Sequence, residues 1–108
     1  MPHIIFSNVK IETVTDFAID YTSDLAALIG CPEDWILFYA NESHIIVNKE
    51  RSHKDCYVEV KWFDREEKIK TSVAQLITDF LESQGFTEIV VEFLVINNDN
   101  YYENMKKY

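Results

Sequence analysis

Residues 57–63 read Tyr-Val-Glu-Val-Lys-Trp-Phe, and apolar and charged side chains alternate along this stretch. The two valines and the tryptophan fall on one face of an extended chain, whereas Glu59 and Lys61 fall on the other. Alternation with a period of two is typical of a strand that covers a core with one face only. The stretch therefore predicts a strand whose second face is mixed in character.

The sequence on the C-terminal side of this strand changes to a helical period. Asp64 is a suitable N-cap and Glu67 follows three residues later, which together form a capping-box pattern. A stripe of apolar residues at three- and four-residue steps predicts a helix over 64–83, and Gly85 ends it. A run rich in Val, Ile and Phe then predicts a strand over 87–96.

The N-terminal half of the chain has the same layout. It predicts a strand over 3–7, a helix over 11–29 that ends at Gly30, and a strand over 35–40. Residues 45–47 extend that strand or pair with it. Residues 48–55 are charged and lack core side chains, so they are expected to form an exposed loop.

The predicted fold class is α+β: a two-layer sandwich of duplicated β-α-β units, with two helices on one face of a four-stranded mixed sheet. The 108 residues are enough for a single domain. Its halves are residues 2–48 and 56–97, and the polar tail 98–108 carries no firm prediction. A ferredoxin-like domain has the same element order and stays open as an alternative.

The helix-free face of this sheet is expected to be partly apolar. The last strand places Val90, Leu94 and Ile96 on one side together with Glu92, and its other side is apolar as well. Soluble monomers rarely expose such a surface, so we expect this face to pack against other subunits. The charges on it are then expected to pair with one another, as in a Lys61 ion pair with Glu59 or Glu92.

Composition excludes several classes of function. The chain has 19 acidic and 10 basic residues, a net charge of −9 and a pI near 4.6, so no nucleic-acid partner is expected. No apolar run is long enough to span a membrane, and no secretory signal is recognisable. Cys31 and Cys56 have no zinc-ligand spacing with the three histidines, so no metal site is predicted. A cytoplasmic protein is the expectation.

Pro2 is a candidate catalytic residue, because removal of Met1 before a small residue would make it the chain start. An amino-terminal proline is a secondary amine, and α-amino groups titrate near pH ~7.7–8.0. The neighbouring residues 4–6 are Ile-Ile-Phe, and an apolar setting lowers the pKa of an amine. A neutral amine at pH 7 can act as a general base.

Three features together resemble a known superfamily: the start Met-Pro-His-Ile-Ile-Phe, the helix end Ile-Gly-Cys-Pro-Glu-Asp at 29–34, and the duplicated β-α-β layout. They are similar to the tautomerase superfamily, which includes oxalocrotonate tautomerase and macrophage migration inhibitory factor. The stretch Val-Lys-Trp-Phe-Asp-Arg at 60–65 resembles an uncharacterised branch, a domain family of unknown function. The resemblance covers nearly the whole chain.

The resemblance implies a homotrimer in which Pro2, at a subunit boundary, acts as base or acid on a small enol or keto acid without a cofactor. It assigns substrate binding to Arg65, which suits a carboxylate, and to Lys61 and Tyr39. Other family positions differ. A lysine of some members corresponds to Cys31, and a tyrosine and an asparagine correspond to Val90 and Glu92, respectively.

The predicted function is therefore a tautomerase-like isomerase or a related decarboxylase. The alternatives are a catalytically inactive trimeric binding or structural module of the same fold and the ferredoxin-like ligand-binding domain. The departures from the family pattern and the net charge of −9 favour the inactive module. Pro2, with Arg65 in a similar frame, favours the enzyme.

Overall fold

The computed structural model describes residues 1–107 and contains a four-stranded sheet covered by two helices. In chain order the elements are β1 (His3–Ser7), α1 (Ile11–Ile29), β2 (Leu37–Asn41), β3 (Ile45–Val47), β4 (Glu50–Ser52), β5 (Asp55–Trp62), α2 (Glu67–Ser83), β6 (Glu88–Val95), β7 (Tyr102–Glu103) and β8 (Lys106–Lys107), with 3-10 turns at Glu33–Trp35 and Asn98–Asn100.

The strands of the main sheet lie in the order β2-β1-β5-β6. β1 pairs with β2 in parallel, β5 pairs with β6 in parallel, and the two central strands β1 and β5 are antiparallel. Each β-α-β unit thus supplies one parallel pair, which confirms the predicted α+β two-layer class. A ferredoxin-like sheet needs a split unit with a strand of the other half inserted, so that alternative was wrong.

Helix α1 has the bounds that the sequence predicts. Its buried face is built by side chains three or four residues apart, among them Val14, Phe17 and Leu25. Gly30 has φ 81° and ψ 41°, a left-handed conformation that glycine adopts without a Cβ penalty, and its N–H donates to the carbonyl of Ala26. The helix therefore stops where the chain must turn toward β2.

Helix α2 begins later than predicted: the sequence predicts an N-cap at Asp64, whereas the helix begins at Glu67. The Asp64 carboxylate accepts a hydrogen bond from the N–H of Arg65 (3.0 Å), so it closes a local turn and caps no helix. Glu66 occupies the N-cap position without a side-chain hydrogen bond. The capping-box prediction was wrong because residues 63–66 remain outside the helix and present Arg65 to the amino terminus instead.

The predicted loop over 48–55 is also corrected. Asn48 and Lys49, with φ 50° and 74°, form a tight turn that joins β3 to β4, and β5 begins at Asp55. Two consecutive residues with positive φ match the turn that favours hairpins. Residues 45–47 consequently pair with β4 and do not extend β2.

The core lies between the helices and one face of the sheet. Phe17 is fully buried, and its ring centroid lies 4.9 Å from that of Phe80 and 5.5 Å from that of Phe6. On β5 the alternating side chains include Val58, Val60 and Trp62, all with 0% exposure. The predicted inward face of residues 57–63 is thereby confirmed.

The helix-free face carries large apolar groups and paired polar ones. Val90 is 52% exposed in the single chain. The Lys61 ammonium lies 3.8 Å from the Glu59 carboxylate, as the sequence predicts, and the Tyr57 hydroxyl donates to the Glu92 carboxylate. That hydrogen bond is the main reason that the pKa of Tyr57 is raised to about 12.

The tail forms a small hairpin, here called the C-terminal hairpin (residues 98–107). β7 and β8 pair in antiparallel fashion, and their turn residues Asn104 and Met105 have φ values of 51° and 67°. The Lys107 ammonium contacts the Asp99 carboxylate at 3.2 Å, which ties the second strand to the preceding turn. The hairpin packs beside the amino terminus.

Candidate active site at the amino terminus

Pro2 lies directly before β1 and is less than 2% exposed while Met1 precedes it. Its carbonyl accepts a hydrogen bond from the N–H of Leu37 (3.0 Å), which continues the parallel β1–β2 ladder. The adjacent Ile4 is fully buried. Because the sheet fixes the Pro2 carbonyl and the following His3, loss of Met1 would leave a secondary amine on a rigid support.

The α-amino group of the chain lies in a setting that favours its neutral form. Burial is the largest influence and lowers the pKa of the Met1 amine, whereas the Glu103 carboxylate raises it. The Arg65 guanidinium lowers it further, and the Cys31 thiol raises it. The net pKa is below the ordinary value, so the amino terminus lies where an amine loses its proton readily.

Arg65 is half-buried and held by backbone carbonyls. Its Nη1 donates to the carbonyls of Phe63 (2.7 Å) and Asp64 (3.1 Å), and its Nε lies 3.4 Å from the carbonyl of Ile29. The guanidinium carbon lies 5.9 Å from the centroid of the Trp62 ring. Nη2 has no hydrogen-bond partner within residues 1–107. The guanidinium is therefore fixed in place with donors still available to an anion.

Cys31 faces the same space as Arg65 and the amino-terminal amine. Burial raises the pKa of its thiol, and the two positive groups oppose that increase. No disulfide involves this residue. Cys31 thus contributes a neutral thiol, and Arg65 is a cation that acts on the amine.

His3 links the start of β1 to two tyrosines. Its Nδ1 is hydrogen-bonded to the hydroxyl of Tyr39 (2.8 Å) and its Nε2 to the hydroxyl of Tyr101 (2.9 Å). Burial lowers the pKa of His3, and the amino-terminal amine and Lys61 lower it further. In a neutral imidazole one nitrogen donates and the other accepts, so both bonds form with either tautomer.

Lys61 lies directly across from His3 in the antiparallel β1–β5 register. Its ammonium pairs with Glu59, and it also acts electrostatically on His3. The structure therefore brings all four sequence-predicted site residues to one end of the sheet. Pro2 precedes β1, Tyr39 and Lys61 contact or face His3, and Arg65 acts on the amine.

Sequence reasoning missed Tyr101 and Glu103, both in the C-terminal hairpin. Tyr101 bonds to His3, and its ring packs edge-on against Phe63 with centroids 5.3 Å apart. Glu103 acts electrostatically on the amino terminus. The density of tyrosines in the tail was the available signal, because tyrosine combines an apolar ring with a hydroxyl that needs a partner.

Within residues 1–107 no three His, Cys, Asp or Glu side chains come together as a set that could hold a metal ion. In the same part of the chain, neither helix combines the length and apolar character that crossing a bilayer requires.

The sequence matches the family described as Domain of unknown function (DUF1904) over residues 1–107. The chain belongs to this family. A DUF1904 crystal structure from Sebaldella termitidis is 26% identical to the chain, covers 100% of both chains and superposes with a TM-score of 0.93. No curated protein matches the chain.

More distant solved structures share the fold. The macrophage migration inhibitory factor-like protein of Entamoeba histolytica is 15% identical, with 99% of this chain and 98% of that chain covered and a TM-score of 0.80. Pt0534, solved after inactivation by 2-oxo-3-pentynoate, is 16% identical, with 94% and 90% covered and a TM-score of 0.71. The predicted resemblance to the tautomerase superfamily is confirmed at the level of fold.

Proposed function

We propose that this DUF1904 protein is a tautomerase-like enzyme in which Pro2, freed by removal of Met1, is a general acid/base toward a small enol or keto acid. The observation that carries the proposal is the setting of the amino terminus. Burial and Arg65 lower the pKa of the amine that starts the chain. The Pro2 nitrogen is one residue, about 3.8 Å of chain, further into the same surroundings.

In the proposed reaction the Pro2 nitrogen accepts a proton from a hydroxyl or a carbon of the substrate and returns it to another atom. A base works best when its pKa is near the operating pH, so a lowered amine pKa supports this role. The rigid β1–β2 ladder at Leu37 keeps the nitrogen at one place relative to a bound substrate.

Arg65 is the proposed carboxylate-binding residue. Its remaining donors on Nη2 suit a carboxylate, and its bonds to the carbonyls of Phe63 and Asp64 fix the plane of the guanidinium. Tyr39 is the proposed donor to the oxygen on which negative charge develops, since its hydroxyl is already oriented by His3. Lys61 adds positive charge at the same end of the sheet.

We further propose that the enzyme is a homotrimer in which a neighbouring subunit completes the site. The helix-free face of the sheet exposes apolar side chains such as Leu37, Val90 and Leu94 in the single chain. Two clefts of the single chain, one along α2 and one beside Asn8 and Arg51, are not lined by Pro2. Closure of the amino-terminal site by a second chain explains both observations.

The test is ketonisation of phenylenolpyruvate and of 2-hydroxymuconate, followed by absorbance. Pro2→Ala is processed at the same position but replaces the ring amine, and we expect its kcat/KM to fall about a hundredfold, the scale of general acid–base catalysis. Pro32→Ala, at the other proline of the chain, is the matched control and should keep the rate. Equal rates for Pro2→Ala and the unmodified protein would contradict the proposed role of Pro2.

A catalytically inactive module of the same fold remains the second candidate. It is favoured by the neutral thiol of Cys31 at a position where the resemblance to the tautomerase superfamily implies a lysine in active members. Retention of Met1, seen as the mass of the purified chain, would leave no free proline amine. That result, together with absent turnover of both substrates, would establish the inactive module in place of the enzyme.

A further inference from the structure

The C-terminal hairpin has its own internal supports. The side chain of Asn97 accepts a hydrogen bond from the N–H of Asp99 (2.9 Å), which starts the 3-10 turn. The β7–β8 pairing and the Lys107–Asp99 ion pair then close the segment on itself. A segment with this many internal bonds keeps a defined shape where it meets the rest of the protein.

Tyr101 attaches the hairpin to both halves of the candidate site. Its hydroxyl bonds to His3, the residue that follows Pro2. Its ring packs edge-on against Phe63, whose carbonyl accepts the 2.7 Å hydrogen bond from Arg65. One side chain from the tail thus contacts the strand that carries the proposed base and the segment that carries the proposed carboxylate-binding residue.

We propose that His3 and Tyr101 are positioning residues that hold the C-terminal hairpin as one wall of the amino-terminal site, with the Glu103 carboxylate beside the amine. The inference rests on the proposed role of the amine and deepens it. The wall excludes water from the amine, and its carboxylate balances the positive charge of Arg65. Exclusion of water lowers the pKa of the amine, whereas the Glu103 carboxylate raises it.

The charged groups around the site define what each substitution should do. Burial is the largest influence on the Met1 amine, and the charges of Glu103, Arg65 and Cys31 also act on it. His3 faces the amine, Lys61 and Glu103, and its two ring nitrogens bond to tyrosine hydroxyls. Loosening the wall weakens the burial that lowers the pKa of the amine, whereas removing the carboxylate deletes an influence that raises it.

Alkylation of the amine by 2-oxo-3-pentynoate at a series of pH values measures the pKa of the amine, with mass spectrometry as the readout. The neutral nitrogen adds to the alkyne carbon remote from the ketone, one carbon–carbon π bond breaks, and the N–H proton ends on the neighbouring carbon. Only the neutral amine reacts, so the pH midpoint of the labelling rate reports its pKa.

We expect Tyr101→Phe to shift the midpoint to higher pH, because the hairpin loses its bond to His3 and water reaches the amine. Phenylalanine keeps the packing on Phe63, and His3→Gln, which breaks the same bond from the other side, should shift the midpoint in the same direction. Glu103→Gln should shift it to lower pH.

The controls are Tyr102→Phe, whose side chain is 58% exposed, and Glu12→Gln on the exposed side of α1, and both should leave the midpoint unchanged. Unchanged midpoints in Tyr101→Phe and Glu103→Gln, or shifts of both in one direction, would overturn the inference. The labelled residue is a separate readout: a label on Met1 rejects the Pro2 proposal, while the shifts still decide the role of the hairpin.

Discussion

Arg65 shows how one residue can be fixed in place and still be available for binding. Two backbone carbonyls accept hydrogen bonds from its Nη1, and its guanidinium lies over the Trp62 ring. Immobilising a long side chain in advance reduces the entropy that substrate binding must overcome. The Cys56 thiol, by contrast, is buried, and its pKa is raised to about 12, so it is chemically inert in the folded protein.

Arg65→Gln is expected to raise the KM for phenylenolpyruvate about tenfold or more, the scale of a lost hydrogen bond to a charged group. Arg65→Lys keeps the charge but loses the planar donor geometry, so its KM should lie between those of Arg65→Gln and the unmodified protein. Arg51→Gln removes the other arginine of the chain and is the control. An unchanged KM in a folded Arg65→Gln variant would show that Arg65 does not bind the substrate.

Element boundaries follow the residues that restrict the backbone. α1 ends at Ile29 because Gly30 adopts a left-handed conformation, and the space around its Cα is open, so a Cβ would meet no neighbour. The conformational strain alone then decides the cost of a side chain there.

Gly30→Ala is expected to lower the free energy of unfolding by about 1–2 kcal/mol, the cost of a left-handed residue that has a Cβ. Gly30→Asn should lower the free energy of unfolding by less, since asparagine tolerates this conformation. Urea unfolding at one fixed protein concentration measures the difference. Equal stability of Gly30→Ala and the unmodified protein would contradict this account of the helix end.

The bounds of α1 and the alternation on β5 could be predicted because each depends on local sequence. The start of α2 could not, since Asp64 suits both an N-cap and the turn that it forms with Arg65. The hairpin at residues 45–52 was missed because its turn uses Asn48 and Lys49 at positive φ without a glycine. Tyr101 was missed because its partner His3 is 98 residues away.

At the scale of the whole molecule, the two faces of the sheet differ in what covers them. The helices bury one face, and the other presents Val90 and Leu94 next to the Tyr57–Glu92 hydrogen bond. An apolar surface that also contains satisfied polar groups is what an obligate subunit interface requires. That surface, together with the position of the amino terminus, supports the proposed association of subunits.

Val90→Asp places a charge beside Glu92 on this face and should reduce the mass found by sedimentation below that of three chains. The reason is the cost of burying an unpaired carboxylate at an interface. Ile19→Asp is the matched control, because Ile19 is 75% exposed on α1 and should tolerate a charge without loss of mass. A single-chain mass for the unmodified protein would contradict the trimer.

The most direct test of the proposed chemistry is the titration of the amino-terminal nitrogen in the ¹⁵N-labelled, unmodified protein, followed by NMR. We predict a chain that begins at Pro2, with an amine whose pKa is below the range of about 7.7–8.0 that is usual for α-amino groups. A chain that begins at Met1, or a proline amine that titrates within or above that range, would contradict it.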